Sequence, residues 1–427
     1  MKRTFLSTSA AVLALGILAA CGGGSDSGEA KTSTGPIKVW LSNNPEEIAW
    51  GENMVKEWNA EHSDQKITAQ EIPAGKTSEE VIGAAITAGN APCLVFNTSP
   101  AAVPQFQKQG GLVALDDFEG GKSYVEDRSG EQADQYASPD GKLYQIPWKQ
   151  NPVMIFYNKD MFKKAGLDPE NPSLKTYDEF LATSKKLVDS KAAPAAIQPS
   201  PSSEFFQAWF DFYPLYAAES GGKQTIEDGK ATFNDTAGKD VWNFWAEMYE
   251  KGYTPQEKYD GDAFADKKAA MAVVGPWAIA VYKDKVKWGV VPVPTKSGME
   301  ASEINTFSDA KNIGLYSACK NQKTAWEVLK FATSKDQDSK LLETTGQMPI
   351  RTDLATTYAD YFKSNPDYET FADQASRTVE VPNVPNSISI WQAFRDAYSS
   401  AVIFAKTSVD DGLSKAADEA DKLAGQS

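Results

Sequence analysis

The sequence predicts an α/β protein, and three observations support that class. Short apolar segments typical of strands alternate with amphipathic helical segments from residue 37 onward. The length of 427 residues suits two or three domains better than one. The composition, with 41% hydrophobic and 24% charged residues, is that of a globular protein. The chain therefore has enough apolar material for more than one packed core.

The N-terminus predicts an exported, lipid-anchored protein. Residues 1–20 combine a cationic start with an apolar run too short to cross a bilayer, which is typical of a signal peptide. The run ends in Leu-Ala-Ala before Cys21, the pattern in which a bacterial lipoprotein is cleaved and its cysteine acylated. Residues 21–35 are rich in Gly, Ser and Thr, so we expect a flexible tether that holds the chain at the membrane.

The first predicted strand and helix meet at a polar turn. Residues 37–41 form an apolar strand, and Asn44 and Pro45 after it are typical of a helix cap and a first helical position. Glu47, at the third helical position, is expected to reach back to the cap.

Two more strands, 66–70 and 94–97, flank a predicted helix at 79–88, which indicates a parallel βαβ arrangement. Ligands of such sheets bind beyond the carboxyl ends of the strands. The short polar residues at these ends are Asn43, Asn44, Asn97 and Ser99.

The middle of the chain contains a segment that is expected to cross between domains. Residues 143–158 are apolar and extended, but two internal prolines make a single uninterrupted strand unfavourable. Trp148 lies in this segment. Further on, apolar residues at helical spacing within 235–251 place Trp245 in a core. Other predicted elements are a strand at 270–274 and helices at 177–190, 325–334, 337–344, 389–406 and 409–424.

Several kinds of chemistry are disfavoured by the composition. The net charge of −15 argues against sequence-independent nucleic-acid binding, which needs clustered positive charge. His62 is the only histidine and lies at a polar helix end, so we expect it to be exposed and without function. Nucleophile elbows, zinc-protease motifs and phosphate loops are absent from the sequence, and we expect no metal or cofactor. A glycosidase with two carboxylates stays open, because 58 acidic residues are present.

The 11 tryptophans are the most informative residues. Four of them fall at joints between elements rather than within helical stripes: Trp148, Trp209, Trp277 and Trp391. Indoles in such places either fill gaps between domains or form a platform for an amphipathic, uncharged ligand. A sugar fits the second interpretation, because its C–H faces stack on aromatic rings and its hydroxyls bind Asn, Asp and Ser.

Cys93 and Cys319 are the cysteines that follow the tether. In an exported protein they form either a bridge or two buried thiols. Their spacing does not decide between these alternatives.

Four motifs in a fixed order resemble one known family. They are residues 157–162, residues 264–277 ending in Gly-Pro-Trp, residues 345–349, and residues 381–385 leading to Trp391 and Arg395. From about residue 37 to the C-terminus the chain resembles the maltose-binding-protein type of solute-binding lipoproteins of ABC importers. The resemblance implies the two-lobe periplasmic-binding-protein type II fold, with a hinge of several segments and a cleft between the lobes. It implies a first lobe of residues 36–150 plus 305–360 and a second of 151–304 plus 361–427.

The resemblance also implies a ligand site in the cleft. Trp277 and Trp391 correspond to the family's stacking tryptophans, and Arg395 to an arginine that lines the site. Asn44 stands where the family often has an acid, and Asn97 and Ser99 also differ from the maltose binder, which weakens the case for maltose itself. The remaining residues assigned to the site are Glu204, Phe206 and Trp209 in the second lobe and Asp309 near a crossing segment.

The expected function is that of a receptor without catalytic activity. It would stand as a monomer on the extracellular face of the bacterial cytoplasmic membrane, held there through its lipid alone, and deliver a carbohydrate to the permease subunits. Alternatives are a receptor for another solute, such as a polyamine, amino acid or glycerol phosphate, and a secreted glycosidase. In this family the strands that carry Cys93 and Cys319 are antiparallel neighbours, so the resemblance favours a disulfide.

Overall fold

The computed structural model describes residues 26–42, 44–74, 77–199 and 204–426. The signal peptide, Cys21 and Asn43 lie outside these ranges. The strands are β1 (Ile37–Leu41), β2 (Ile67–Glu71), β3 (Leu94–Thr98), β4 (Gln145–Gln150), β5 (Met154–Asn158), β6 (Ala195–Ile197), β7 (Ile226–Glu227), β8 (Lys230–Ala231), β9 (Ala269–Val274), β10 (Trp288–Val291), β11 (Thr306–Phe307), β12 (Lys311–Leu315), β13 (Met348–Pro349) and β14 (Thr378–Val379).

The α-helices follow the same chain order. They are α1 (Asp26–Thr32), α2 (Pro45–Glu61), α3 (Ser78–Thr87), α4 (Val103–Lys108), α5 (Gly121–Ser129), α6 (Lys159–Lys164), α7 (Tyr177–Asp189), α8 (Phe212–Glu219), α9 (Thr236–Glu250), α10 (Ala278–Tyr282), α11 (Gln322–Ala332), α12 (Lys335–Thr345), α13 (Leu354–Thr357), α14 (Ala359–Ser364), α15 (Glu369–Gln374), α16 (Ser387–Tyr398) and α17 (Val409–Ala424). Within the described ranges, no helix combines the length and apolar character needed to cross a membrane.

A six-stranded sheet organises the first lobe. Its strand order is β13-β4-β12-β3-β1-β2. β1 pairs in parallel with β2 and β3, as the alternation of strands and helices predicts, whereas β12 runs antiparallel between β3 and β4. The sheet packs on α2, α11 and α12 around a core that includes Trp50, Phe96 and Trp326. The two-lobed α/β fold is thereby confirmed for its first half.

A four-stranded sheet organises the second lobe. Its order is β10-β5-β9-β6, with β9 antiparallel to β5 and parallel to β6. The main core of this lobe packs α7, α8, α9, α16 and α17 against the sheet. Trp245 is buried in it and donates its indole N–H to the carbonyl of Asp211 at 3.0 Å. The core position predicted for Trp245 is confirmed.

In the described part of the chain, three segments cross between the lobes, and backbone hydrogen bonds join them side by side. The first links β4 to β5, the second links β11 to β12, and the third follows β14. Val153 N–H donates to the carbonyl of Phe307, and Asp309 N–H donates to that of Asn151. Ser308 N–H in turn donates to the carbonyl of Val379. The extended run is interrupted, as the sequence predicts, but only at Pro152, which lies between β4 and β5, whereas Pro147 lies inside β4.

Helix α2 begins at its predicted cap. The Asn44 side chain accepts from the backbone N–H groups of Glu46 and Glu47 at 3.0 and 3.1 Å. The predicted role of Glu47 is wrong, however. Its carboxylate does not return to the cap but forms a buried ion pair with Lys149 of β4, which satisfies two groups that would be costly to bury alone.

The predicted tether also differs from the structure in its second half. Asp26–Thr32 forms α1, and the Lys31 ammonium lies 2.7 Å from the Asp117 carboxylate of the first lobe. The Ser33 hydroxyl donates to the Glu29 carbonyl at 2.8 Å. Good helix formers at 29–31 and this ion pair hold residues 26–33 against the lobe.

The lobe boundary predicted at residue 360 is not sharp. Tyr358 packs in one cluster with Phe156 of β5 and Phe371 of α15. Its hydroxyl nevertheless donates to the carbonyl of Lys335 in the first lobe at 3.1 Å. The segment from α13 to α15 therefore contacts both lobes.

Cys93 and Cys319 form a disulfide in the structure, with their Cα atoms 4.5 Å apart. Cys93 N–H binds the Lys38 carbonyl, and its own carbonyl accepts from Tyr316 N–H, so the bridge lies beside the pairing of β3 with β12. It joins positions 226 residues apart in the chain.

We predict that this bridge is present in solution and stabilises the fold. In a chain with Cys21 replaced by Ala, thiol titration under denaturing, non-reducing conditions should find no reactive thiol. Replacing both Cys93 and Cys319 by Ala should lower the free energy of unfolding by roughly 2–5 kcal/mol, measured by urea denaturation. Two reactive thiols in the Cys21→Ala chain, in which Cys93 and Cys319 are retained, would contradict the prediction.

Candidate functional site

The crossing segments define which edge of each sheet faces the other lobe. In the first lobe β1, β3 and β4 end at this edge, and antiparallel β12 begins there. In the second lobe β5 begins just after the first crossing, and Met154 pairs with Val274, the last residue of β9. The residues after β1, β3 and β9, and those before β12, therefore border the cleft.

Three aromatic side chains line the second-lobe side of the cleft, and we call Phe206, Phe210 and Trp277 the aromatic wall. All three are partly exposed. The Trp277 ring lies edge-on to that of Phe210 at 6.1 Å. Trp277 needs a glycine two residues earlier, since a Cβ on Gly275 would lie 2.0 Å from its ring. The Gly-Pro-Trp motif thus lets the indole fold back over the end of β9.

Trp209 and Trp391 lie behind this wall and are 3% and 2% exposed. Their rings contact each other at 5.8 Å, and both belong to the buried second-lobe core. The turn at 100–102 of the first lobe packs against α16, which carries Trp391. The stacking face predicted for Trp391 is therefore covered in this structure, and the two indoles support the wall rather than forming it.

The first-lobe side of the cleft is charged, and we call Glu79, Asp309 and Lys311 the charged floor. Lys311 begins β12, and its ammonium lies 2.5 Å from the Asp309 carboxylate. Burial alone would lower the pKa of Lys311, but the carboxyls of Asp309, Glu79 and Glu380 outweigh it and raise that pKa. Burial also raises the pKa of Glu79 at the start of α3. Phe307, four residues before Lys311, contacts Phe210, so the wall and the floor meet at one crossing segment.

A buried polar network fixes the floor. Glu47 accepts hydrogen bonds from Lys149 and, at 2.6 Å, from the amide of Gln347. The Gln347 carbonyl oxygen accepts from the Asn151 amide, which also donates to the Asp309 backbone carbonyl at 3.0 Å. Burial would raise the pKa of Glu47, but Lys149 outweighs it and lowers that pKa.

Three of the polar residues predicted at the strand ends, Asn44, Asn97 and Ser99, lie among the described residues and follow β1 or β3 at the edge that faces the cleft, whereas Asn43 lies outside the described residues. The side-chain carbonyl oxygen of Asn44 already accepts the two hydrogen bonds that cap α2. Asn97 is partly exposed and has φ 62°, a left-handed conformation that asparagine tolerates. Ser99 is buried, and its hydroxyl has no hydrogen-bond partner among the described residues.

The predicted ligand role of Trp148 is wrong. Its ring is 0% exposed and lies between Trp50 and Phe96 in the first-lobe core, at 5.2 and 5.5 Å. Alternation along β4 explains this, because Trp148 faces the core and the next residue, Lys149, faces the other side.

The other predicted site residues lie on or near the second-lobe side. Arg395 is one turn beyond Trp391 and forms an ion pair with Asp396 at 2.6 Å. Glu204 precedes the 3-10 turn Gln207–Trp209, whose first N–H binds the Glu204 carbonyl. His62 lies elsewhere and differs from its prediction, since it is half-buried and stacked on Trp58 at 3.7 Å.

Sequence reasoning missed Phe210, Phe307, Glu79, Lys311 and Glu380. Phe307 and Lys311 flank Asp309 in the sequence, so the signal available was their proximity to a predicted crossing segment. Glu380 directly precedes the motif at 381–385, whereas Glu79 offered no signal, because α3 brings it to the cleft from a distant part of the chain.

Glu380 is the point at which both lobes bind the third crossing segment. Its carboxyl accepts from the Tyr136 hydroxyl at 3.2 Å and its N–H donates to Gln135, both in the first lobe. Its carbonyl accepts from the Tyr213 hydroxyl and the Gln224 amide, both in the second. Burial raises the pKa of Glu380 to about 8.

Comparison with known proteins identifies the family of the chain. The family model of bacterial extracellular solute-binding proteins matches residues 53–370, and the chain belongs to that family. Among the described residues, no group of His, Cys, Asp and Glu is arranged to hold a metal ion.

The sequence identity to individual relatives is low. The chain is 26% identical over 277 residues to the maltodextrin-binding protein MdxE of Bacillus subtilis, a match that covers 61% of this chain and 62% of that one, under two thirds of its length. It is 26% identical over 438 residues to the diacetylchitobiose binding protein DasA of Streptomyces coelicolor, covering 96% of each. A crystal structure of the cyclic α-maltosyl-1,6-maltose binding protein of Arthrobacter globiformis has a TM-score of 0.78 at 22% identity, covering 92% of this chain and 100% of that one.

The buried carboxyl of Glu380 predicts a pH dependence of stability. Its pKa is about 8 in the folded state against an ordinary value of 4.5. Between pH 4.5 and about 8 the folded protein holds a proton on Glu380 that the unfolded chain has lost. The contribution of Glu380 to the free energy of unfolding is therefore fully present below pH 4.5 and is lost as the pH rises through about 8.

Glu380→Gln, which mimics the protonated acid, should make the fall of the free energy of unfolding with pH less steep by up to about 1.4 kcal/mol per pH unit. Urea denaturation between about pH 5 and 8 measures it. Glu57→Gln, at a carboxylate exposed beside Lys340, is the matched control and should leave the slope unchanged. Equal slopes in wild type and Glu380→Gln would contradict the account.

Proposed function

We propose that the protein is the carbohydrate receptor of an ABC importer, which captures its ligand between the lobes and delivers it to the permease. The observation that carries the proposal is the aromatic wall and the charged floor on opposite sides of one cleft. Each belongs to a different lobe, and the crossing segment with Phe307 and Lys311 joins them.

The chemistry of the two surfaces suits a sugar. The ring of Trp277 and its neighbour Phe210 offer faces to apolar C–H groups, and burial of such faces drives binding. Lys311 donates hydrogen bonds, and the carboxylates of Asp309 and Glu79 accept them from hydroxyls. A ligand with apolar faces and a polar periphery satisfies both surfaces at once.

Relatives support the same class of ligand. The family is one of extracellular solute-binding proteins. DasA, which matches almost the whole chain, is named for diacetylchitobiose, and MdxE for maltodextrin. We infer an oligosaccharide, without transferring either particular sugar.

Closure of the lobes follows from the placement of the contacts. A ligand that binds one lobe first gains the contacts of the second only when the cleft closes, so its binding shifts the population towards the closed form. The three crossing segments allow this movement while keeping the lobes aligned.

The cleft is poorly suited to glycoside hydrolysis, and this supports a receptor rather than an enzyme. Hydrolysis needs one carboxyl as acid and another as base or nucleophile. Asp309 is committed to Lys311, and Glu380 binds Tyr136 and the Val381 N–H in the hinge, which leaves Glu79 of the charged floor without the second carboxyl that hydrolysis needs. Sugars should therefore bind without turnover.

The N-terminal sequence supports attachment to the membrane. Cys21 would carry the lipid, at the extracellular face of the bacterial cytoplasmic membrane, and the protein would act there as a monomer. The helix α1 against the first lobe leaves the residues before it as the spacer to the membrane.

A thermal-shift screen of mono- and oligosaccharides tests the proposal, followed by calorimetry with the most stabilising sugar. Trp277→Ala should weaken binding by about 1–3 kcal/mol, the scale of one buried aromatic side chain. The matched control is Trp288→Ala, because Trp288 is also partly exposed but pairs with Asn158 at the end of β5 far from the cleft.

Three results would count against the receptor. They are hydrolysis of the sugar, the absence of any stabilising sugar in the panel, and equal affinities of Trp277→Ala and wild type. Stabilisation without turnover, with affinity lost in Trp277→Ala alone, supports it.

A further inference from the structure

Lys311 lies at the start of β12, at the edge of the first sheet that faces the cleft, and carboxyls surround it. Its side chain is 20% exposed and that of its partner Asp309 is 17% exposed, so solvent or a ligand reaches the pair. Glu79 and Glu380 also act on Lys311 electrostatically, from α3 and from the third crossing segment. One positive charge thus faces three acidic groups.

The neighbouring cations are matched in the same way. Lys149 is in register with Lys311 across the β4–β12 pairing, and it is paired with buried Glu47. On the second lobe, Arg395 is paired with Asp396. Among the described residues that border the cleft, these cations each have a carboxylate partner.

We propose that Asp309 determines ligand specificity, because its pairing with Lys311 makes the cleft accept uncharged sugars and reject phosphorylated or carboxylated ones. This inference rests on the proposed function, since it assumes that the ligand lies between the lobes. It goes further by assigning the choice between neutral and anionic ligands to one residue.

The physical reason is that an anion needs convergent donors that lack a competing carboxylate. A phosphate that binds the remaining N–H groups of the Lys311 ammonium is repelled by the negative charge of Asp309 beside it and, when ionised, of Glu79. A hydroxyl has no such penalty. It accepts a hydrogen bond from one of the remaining ammonium N–H groups and donates one to a carboxylate, so the ion pair stays intact.

The position of Asp309 is fixed independently of any ligand. Its N–H donates to the Asn151 carbonyl at 3.1 Å, and its own carbonyl accepts from the Asn151 amide at 3.0 Å. Replacing the carboxylate by an amide keeps these backbone contacts. Asp309→Asn therefore removes a charge without removing the structure that holds the residue.

The experiment compares maltose with maltose 6′-phosphate, and N,N′-diacetylchitobiose with its 6-phosphate, by calorimetry on the full folded chain. Wild type should bind the neutral member of the pair that it recognises at least ~10-fold more tightly than the phosphorylated one. Asp309→Asn should reduce this ratio by ~10-fold or more, since Lys311 is then available to the phosphate. Adding Lys311→Met to Asp309→Asn should abolish the gain.

Asp117→Asn is the matched control. It makes the same change in net charge at an ion pair with Lys31 and Lys142 on the outer face of the first lobe. Its ratio should equal that of wild type, which separates local pairing from overall charge.

The outcomes divide cleanly. If wild type binds both members of a pair equally, or the phosphorylated member more tightly, the proposal is overturned without any variant. An unchanged ratio in Asp309→Asn also overturns it, while sugar binding by wild type leaves the proposed function standing. If wild type binds none of the four sugars, the specificity proposal is overturned, and the wider thermal-shift panel decides the receptor function separately.

Discussion

The hydrogen bonds that join the three crossing segments are the constraint on which the rest of the structure depends. Asn151, Val153, Phe307 and Asp309 pair the first two crossings, and Ser308 with Val379 adds the third. Because the chain returns through them, each lobe is assembled from separated parts of the sequence. β12, for example, follows all four strands of the second sheet along the chain, yet it lies between β3 and β4 in the first sheet.

The same constraint explains why the candidate site lies where it does. The crossing that carries Phe307 into the second-lobe aromatic cluster carries Asp309 and Lys311 to the first sheet. The hydrogen-bonded network of Glu47, Lys149, Gln347 and Asn151 binds the backbone of that crossing through the Asn151 amide, which donates to the Asp309 carbonyl. Buried polar groups that bind one another in this way favour one arrangement, since breaking one of these bonds leaves a further buried group without a partner.

How much could be predicted from the sequence depended on whether a signal was local. Helical stripes placed α9 and Trp245, the asparagine cap placed α2, and paired prolines indicated the first crossing. Trp148 was wrongly assigned because its position in the sequence, beside the crossing, does not reveal which face of β4 it occupies. Glu47 has the spacing of a capping box, but its carboxylate instead pairs with Lys149, which lies 102 residues further along the chain. Glu79 and Glu380 meet Lys311 only through tertiary structure.

The central claim is that a carbohydrate is captured by closure between the two lobes. Small-angle X-ray scattering, recorded with and without a saturating amount of the sugar that stabilises the protein, tests it most directly. The account predicts a smaller radius of gyration with the sugar, and the same change absent when a non-stabilising sugar is added. Saturation of the protein with an unchanged radius of gyration would contradict capture by closure.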